Sequence, residues 1–356
     1  MHLLYSFHSK SILAIVLSIW IQFAWSQNPS HKKVKMICVS FYNLENLFDT
    51  EDDPVTNDEE FTPSGIKAWS KAKYDDKLSR LSRVISGFGQ DYKLNGADIL
   101  GVCEIENRRV LEDLISQPDL RPMGYDIIHH ESFDPRGIDL ALLYKPSVFK
   151  PSFSAMFPIV ISDRAGNVKS TRGVLMVLGK MDNQPICILV NHWPSRRGGE
   201  EATRSYRIQA AITNKKLADS ISLVNPQTSI MIMGDLNDNP DNESVRKILP
   251  SSGSLSKVEE KCFYNPFYDN FTDGEGTLAH NNTWNLFDQI ILSYHFTRPG
   301  KDQYTFYKNK VFRKEFMLET AGHYKDHPKR TFAGDVYNYG YSDHFPVMVY
   351  LTRQIP

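Results

Sequence analysis

The chain has 356 residues, 41 of them lysine or arginine and 42 aspartate or glutamate, for a formal net charge of −1. That balance excludes attraction of a polyanion by overall charge, because a protein built that way carries a basic excess that neutralises phosphates. With 41% hydrophobic residues and no Gly/Ser/Pro linker or internal repeat, the length suits one large domain better than several small ones.

Residues 1–26 hold Lys10 and then the apolar stretch Ser11–Trp25, interrupted only by Ser18 and Gln22. The run is shorter than a span of about 20 apolar residues, and no acid precedes Glu45, so a cleaved secretory signal is expected. Residues 27–356 are then an exported catalytic domain, expected to be monomeric and without a stable membrane anchor. Met36–Phe41 reads as a buried strand running into Asn43-Leu-Glu45-Asn46. Thr50–Ser70, acidic at its start and containing Pro54, Pro63 and Gly65, reads as a loop. Ala72–Phe88 places Leu78, Leu81, Val84, Ile85 and Phe88 on one helical face and ends at Gly87 and Gly89. Ile99–Cys103 is a second strand, closed by Glu104-Ile-Glu106-Asn107. Tyr125–His130 and Ile138–Tyr144 flank Asp134-Pro-Arg-Gly137 and read as a hairpin.

Ile186–Val190 leads into Asn191-His192, followed by Arg196-Arg197-Gly198-Gly199, whose guanidinium forks and glycine-rich backbone suit phosphate oxygens. Glu200–Leu223 reads as a helix with two acids in its first turn and Glu200 and Arg204 at i,i+4 spacing; Arg204 and Arg207 read as solvated charges. Ile230–Met233 ends in Gly234-Asp235-Leu-Asn237-Asp238. Asp288 follows Trp284 and precedes the apolar Ile290–Leu292. Arg298–Asn338 is rich in Lys, Tyr and Phe and reads as loop, with His323, His327, Lys329 and Arg330 able to meet phosphate. Ser342-Asp343-His344 leads into the last strand run, Pro346–Leu351.

Five apolar runs that each meet a cluster of metal-seeking or proton-handling side chains imply strands converging on one polar pocket. Carboxylates, carboxamides and two histidines suit a Mg²⁺- or Mn²⁺-assisted hydrolase of phosphate esters, since hard cations take oxygen ligands. Cys38, Cys103 and Cys187 lie in apolar runs and Cys262 in an aromatic loop, so all four are expected to be free thiols; no CxxC or HxxxH spacing suggests zinc. Strands not regularly alternating with helices argue for an α+β chain of mixed sheets.

Phe41-Tyr-Asn43-Leu-Glu45-Asn46, Cys103-Glu104-Ile-Glu-Asn107, Arg136-Gly-Ile-Asp139-Leu-Ala-Leu-Leu-Tyr144, Val190-Asn-His192-Trp-Pro-Ser195-Arg196, Gly234-Asp235-Leu-Asn237, Trp284-Asn-Leu-Phe-Asp288-Gln-Ile and Ser342-Asp343-His344-Phe-Pro-Val resemble, in that order, the motifs of the endonuclease/exonuclease/phosphatase superfamily. The resemblance implies a four-layer α/β/β/α sandwich of two packed mixed β-sheets, with the site at one edge. It makes Glu104 the metal ligand, although pattern alone leaves Glu106 as an alternative, and puts Asp343 near the cation. Asn43 is expected on the metal or its bound phosphate. His344 is expected to activate water or stabilise pentavalent phosphorus, with Asp288 fixing its tautomer. Asp235 and Asn237, sharing one face at period two, are expected to act in turn as a carboxylate that takes a proton from water or holds a second metal and an amide that orients phosphate. His192, with an ordinary pKa near 6.5, is expected to act as general acid on the leaving group. Arg196 and Arg197 are expected to bind substrate.

The favoured reading is an exported endonuclease-type phosphodiesterase acting on nucleic acid by in-line water attack. The alternative is a phosphatase or phosphodiesterase on inositol phosphates, phospholipid head groups or other small esters, which the lack of basic excess favours. A binding protein on a dead scaffold is disfavoured, because Glu104, His192, Asp235, Asn237, Asp343 and His344 are all present.

Overall fold

The computed structural model describes residues 33–162, 166–280, 283–298, 300 and 302–355; the expected leader, residues 1–26, lies outside them. In chain order the strands are β1 (Val34–Leu47), β2 (Ile99–Ile105), β3 (Asp126–His130), β4 (Asp139–Tyr144), β5 (Phe149–Ser162), β6 (Val168–Met181), β7 (Gln184–His192), β8 (Ser229–Asp235), β9 (Ser251–Ser252), β10 (Phe263–Tyr264), β11 (Leu278–His280), β12 (Thr283–Asn285), β13 (Asp288–Ser293), β14 (Thr305–Val311), β15 (Phe332–Ala333), β16 (Val336–Tyr337) and β17 (Val347–Gln354). The helices are α1 (Lys71–Ser86), α2 (Arg108–Ile115), α3 (Glu200–Val224) and the short α4 (Tyr268–Thr272).

Six strands in the order β14-β17-β1-β2-β4-β3 form one sheet, and seven in the order β5-β6-β7-β8-β13-β10-β9 form the second. Both are mixed: β1 runs parallel to β2 and β7 to β8, whereas β17, β4 and β13 pair antiparallel with β1, β2 and β8. The alternation of side chains explains the stacking. In β7, Ile186, Ile188 and Val190 face the core shared with the first sheet, while Cys187 and Leu189 face α3. β8 divides the same way, with Met231 and Met233 inward and Ile230 and Ile232 outward. Strands covered on both faces read as continuous apolar runs, which is why these segments were legible. Ala210, Ala211 and Ala218 bring α3 close to the outer face of the second sheet. Leu78, Leu81, Val84 and Ile85 of α1 and Val110, Leu111 and Leu114 of α2 cover the first. The result is the expected four-layer α/β/β/α order. Between the sheets, a Cβ on Gly101 would lie 2.5 Å from Met233 Sδ, so glycine permits the close approach there. All four cysteines are free, and no helix among the described residues is long and apolar enough to cross a membrane.

Three expectations need correction. The segment 298–338 is not loop throughout: Thr305–Val311 is edge strand β14, paired with β17. Its lysines and asparagine hid it, and they suit an edge that must not pair further. Arg207 is not solvated but fully buried. It lies on the inward stripe of α3 with Thr203, Ala210, Ala211 and Asn214, its Nε 2.7 Å from Asp238 Oδ1. Arg204 pairs with Glu243 and Glu201, while Glu200 takes Arg196 instead. Removing Arg207 strips the closer of two cations from a buried carboxylate, although Arg196 and Ser244 remain on Asp238. Arg207→Ala should therefore cost on the order of 3 kcal/mol; a urea midpoint unchanged from the parent would refute this role.

Candidate active site

The polar ends of β1, β2, β7 and β8 meet the start of β13 and the residues before β17 at one edge of the two sheets. Asn43, near the end of β1, is fully buried; its Nδ2 donates to Glu104 Oε1 on its own sheet and to Asp235 Oδ2 on the other, each at 3.1 Å. Its Oδ1 accepts from Glu45 N at 2.9 Å, and Glu104 Oε2 accepts from Asn46 N at 3.1 Å. His192 Nε2 lies 3.6 Å from Glu104 Oε1 and 3.6 Å from Asp235 Oδ2. His344 Nδ1 is 2.7 Å from Asp288 Oδ2, and its Nε2 stands 3.8 Å from Asp235 Oδ2. Asn43, Glu104, His192, Asp235, Asp288 and His344 are thus brought together.

Backbone conformation sets which side chains point inward. Glu45, Asn46, Glu104 and Asn237 have φ of +50°, +53°, +58° and +49°, a left-handed region non-glycine residues seldom adopt and which gathers at functional sites. At Glu104 the break interrupts the strand alternation and separates the two acids. Glu104 turns into the cluster, whereas Glu106 accepts from Asp49 N at 2.6 Å on the neighbouring loop. At Asn237 the same break corrects the expected period-two placement: the strand stops at Asp235, Asn237 N donates to Asp235 Oδ1, and its Nδ2 donates to Trp193 O, both at 3.0 Å. Gly234 is required here, since a Cβ would lie 2.3 Å from Asn191 O.

The electrostatics separate the two histidines. Burial pushes Asp235 up to about 7 against the pull of His344, with Asp288 and Glu104 adding to the rise. Burial and then Asp343 raise Glu104. For His344 burial works downward, but Asp288 and Asp235 overrule it and hold the imidazole well above its ordinary value, so it is charged. His192 goes the other way: burial, then Arg172 and Arg136, push it well below 6.5. That direction runs against the ordinary titration on which its general-acid role was expected. Its Nδ1 is buried without a hydrogen-bond partner.

Donor atoms of Glu104, His192 and Asp235 lie within 4.8 Å of one another. The raised Glu104 and Asp235 carboxylates report negative charge without enough counter-charge, which a divalent cation held at Glu104 would offset, so the pocket fits one. Asp343 is nearby, but its Oδ2 accepts from Arg330 Nη2 at 2.9 Å. Arg196 is committed elsewhere: its Nε donates to Asn237 O at 2.9 Å, its Nη2 to Asp238 Oδ1 at 3.1 Å, and it lies over Phe287. Arg197 is exposed and joins the cluster by no hydrogen bond among the described residues. Sequence reasoning missed Arg172, buried in β6, whose Nε and Nη2 donate to His192 O and Trp193 O at 3.0 and 2.9 Å. An arginine in a long hairpin carries no local signal of that kind. It also missed Lys77, buried on α1 and donating to Thr331 Oγ1 at 2.6 Å, and gave no separate role to Glu45 of the first motif, whose Oε2 accepts from Thr331 N at 2.6 Å.

A family model described as Endonuclease/Exonuclease/phosphatase family matches residues 38–353. No curated protein matches the chain. Among solved structures, an endonuclease/exonuclease/phosphatase family protein from Bacteroides thetaiotaomicron superposes with a TM-score of 0.54 at 16% identity, over 91% of this chain and 97% of that one. A mannosyl-6-phosphatase of the same species gives 0.53 at 16% identity, over 88% and 99%. D. rerio TDP2 complexed with a single strand DNA product gives 0.51 at 12% identity, over 89% and 99%. At such identities the likeness is one of fold.

The charge on His344 depends on Asp288, which supplies the largest upward pull on it. In metal-free protein, Asp288→Asn should move the His344 imidazole titration, followed by NMR, to lower pH by more than about one unit; an unmoved titration would show that Asp235 alone holds the proton.

Proposed function

Because the chain belongs to the endonuclease/exonuclease/phosphatase family, whose members are phosphoester hydrolases, we propose that it is an exported Mg²⁺- or Mn²⁺-dependent phosphodiesterase of endonuclease type acting on nucleic acid. The observation that carries the reading is the cross-sheet grouping of Asn43, Glu104 and Asp235 around His192, beside the Asp288–His344 pair.

Glu104, with Asp343 and Asn43 as the further expected ligands, would hold the cation, which supplies charge neutralisation on phosphoryl oxygens. The remaining work falls to the chain. Asp235, raised to about 7, suits the acceptance of a proton from an in-line water near neutral pH. His344, kept charged by Asp288, stabilises negative charge as it builds on phosphorus oxygens. Asn237 fixes Asp235 through its backbone N–H and ties the site to Trp193. His192, neutral, offers a hydrogen bond rather than a proton. A diester is supported over a monoester by charge: Glu45, Glu104, Asp235, Asp288 and Asp343 crowd the site, while Arg136 and Arg330 are already paired with Asp134 and Asp343. One substrate charge is met there more easily than two. The smaller-ester reading draws support from the net charge of −1 and from the internal pairing of Arg196.

The deciding assay is a panel of supercoiled plasmid, single-stranded DNA, RNA, inositol phosphates and sphingomyelin with Mg²⁺ or Mn²⁺; hydrolysis of the small esters alone would overturn the nuclease reading. Activity on bis(p-nitrophenyl) phosphate should vanish in excess chelator and fall at least on the order of 100-fold in Glu104→Gln. Persistence of either rate would sink the metal assignment. Since His192 carries no spare proton, His192→Ala should slow the nitrophenyl diester and an oligonucleotide by similar factors. Selective loss on the oligonucleotide would restore a general acid at this position.

A further inference from the structure

A row of rings leaves the site from Phe345 through Trp284 to residues 323–327. Phe345, the neighbour of His344, stacks on Trp284 with centroids 6.1 Å apart and planes 18° from parallel. Trp284 meets His327 edge-on at 5.5 Å, His327 meets Tyr324 at 5.8 Å, and Tyr324 meets His323 at 5.0 Å. Phe345 is fully buried and Tyr324 is 63% exposed, so the row climbs from core to solvent. Cations accompany it. Arg313 lies 5.3 Å over Trp284 and 5.5 Å over Phe345. Lys325 and Lys329 follow Tyr324 and His327 and make no side-chain hydrogen bond or ion pair among the described residues.

The loop that carries the row is closed by its own backbone. Glu319 N donates to His327 O and Asp326 N to Glu319 O, both at 2.9 Å, and Lys329 N donates to Met317 O at 2.8 Å. Arg313 Nη2 adds a bond to Asp326 O at 3.0 Å. Gly322, at φ +77°, supplies the left-handed turn that presents His323 and Tyr324. Tyr324 is therefore held out in solvent by an ordered loop, where its ring does nothing for the core. Exposed rings interleaved with unpaired lysines form a surface on which unstacked bases lie while backbone phosphates meet the cations. Acids are present: Glu315, Glu319 and Asp326 stand against Arg313, Lys314, Lys325 and Lys329, with Arg330 paired to Glu45 and Asp343.

We propose that His327, Tyr324 and His323, with Lys325 and Lys329, form a track for single-stranded nucleic acid leading to the active site. A duplex keeps its bases stacked and offers no free face, so the track selects single strands and frayed ends. The proposal rests on the nuclease reading for the bond that is cut, but binding is measurable without cleavage.

The test is fluorescence anisotropy of a labelled thymidine oligonucleotide of about 12 nucleotides, titrated with the whole protein in excess chelator. Tyr324→Ala should weaken binding about 5- to 100-fold, and Tyr324→Phe should hold it within about twofold because the ring face is kept. The double variant Lys325→Ala/Lys329→Ala should lower the salt slope by about 1.4, at roughly 0.7 per phosphate contact on a single strand. A blunt duplex should bind more weakly and ignore Tyr324→Ala, as should hydrolysis of bis(p-nitrophenyl) phosphate. Equal affinity for duplex and single strand, or an unchanged affinity in Tyr324→Ala, overturns the track, and does so without touching the phosphodiesterase reading if nitrophenyl hydrolysis persists. Tyr324-dependent binding to phosphatidylcholine vesicles in place of the oligonucleotide overturns it too. Tyr324-dependent oligonucleotide binding by a protein that hydrolyses no phosphoester supports the track and removes the proposed activity instead.

Discussion

One carboxamide reaching across the gap between two sheets fixes everything at the polar edge. Asn43 belongs to the first sheet, yet it donates to Asp235 on the second as well as to Glu104 beside it. Hydrogen bonds to charged groups are worth about 1.5–3 kcal/mol each, enough to hold two strand ends in place. They cannot cancel the charge they position. Glu104 and Asp235 both sit above their ordinary pKa because burial is not matched by counter-charge, so the sheets meet here only because cations arrive from other elements. His344 contributes one, stabilised from β13 by Asp288, and Arg172 another, from the middle of β6. The deficit that remains is what suits the pocket to a hard divalent ion.

A second ionic chain ties the segment between β14 and β17 to this pocket. Thr331 takes Lys77 on its hydroxyl and gives its N–H to Glu45, and the adjacent Arg330 spans Glu45 and Asp343. Burial pushes Glu45 up to about 7 and Lys77 down to about 8, as expected when both charged forms are costly and each is made tolerable by the other. The segment that carries the aromatic row is thereby anchored on helix α1 and strand β1, and its position relative to Asp343 is set by the same residues that neutralise Asp343.

How much of this was readable follows from where each constraint lives. Strands buried on both faces announce themselves as unbroken apolar runs, and polar residues at their ends mark the edge; Glu104, His192 and Asp235 were found that way. The pairing of Asp288 with His344 was implied by the family resemblance and lies at 2.7 Å. What failed were inferences that assumed regular backbone. Alternation predicts that Asn237 shares a face with Asp235 and leaves Glu104 and Glu106 undecided, but left-handed φ at Glu104 and Asn237 breaks the alternation at residues that are not glycine. No composition rule flags a strained asparagine or glutamate. Arg207 and Arg172 failed for another reason: each is buried because of a carboxylate or carbonyl distant in sequence, and a single charged residue in a helix or hairpin looks the same whether it faces water or Asp238.

The neutral charge balance then has a structural meaning that the count alone hides. Asp238 takes Arg196 and Arg207, Asp134 takes Arg136 and Arg172, and Asp182 takes Lys35 and Arg353. In each case two cations close on one acid, so these arginines and lysines serve the fold and are not free to meet a ligand. A polyanion would be guided instead by cations outside such groups, and Lys325 and Lys329 stand among them, a short way from His344 along the chain and carried by a loop anchored to its neighbour Asp343. Overall charge and local recognition are decoupled here, and an electrostatic reading of substrate class must be taken from which cations are unpaired, not from how many there are.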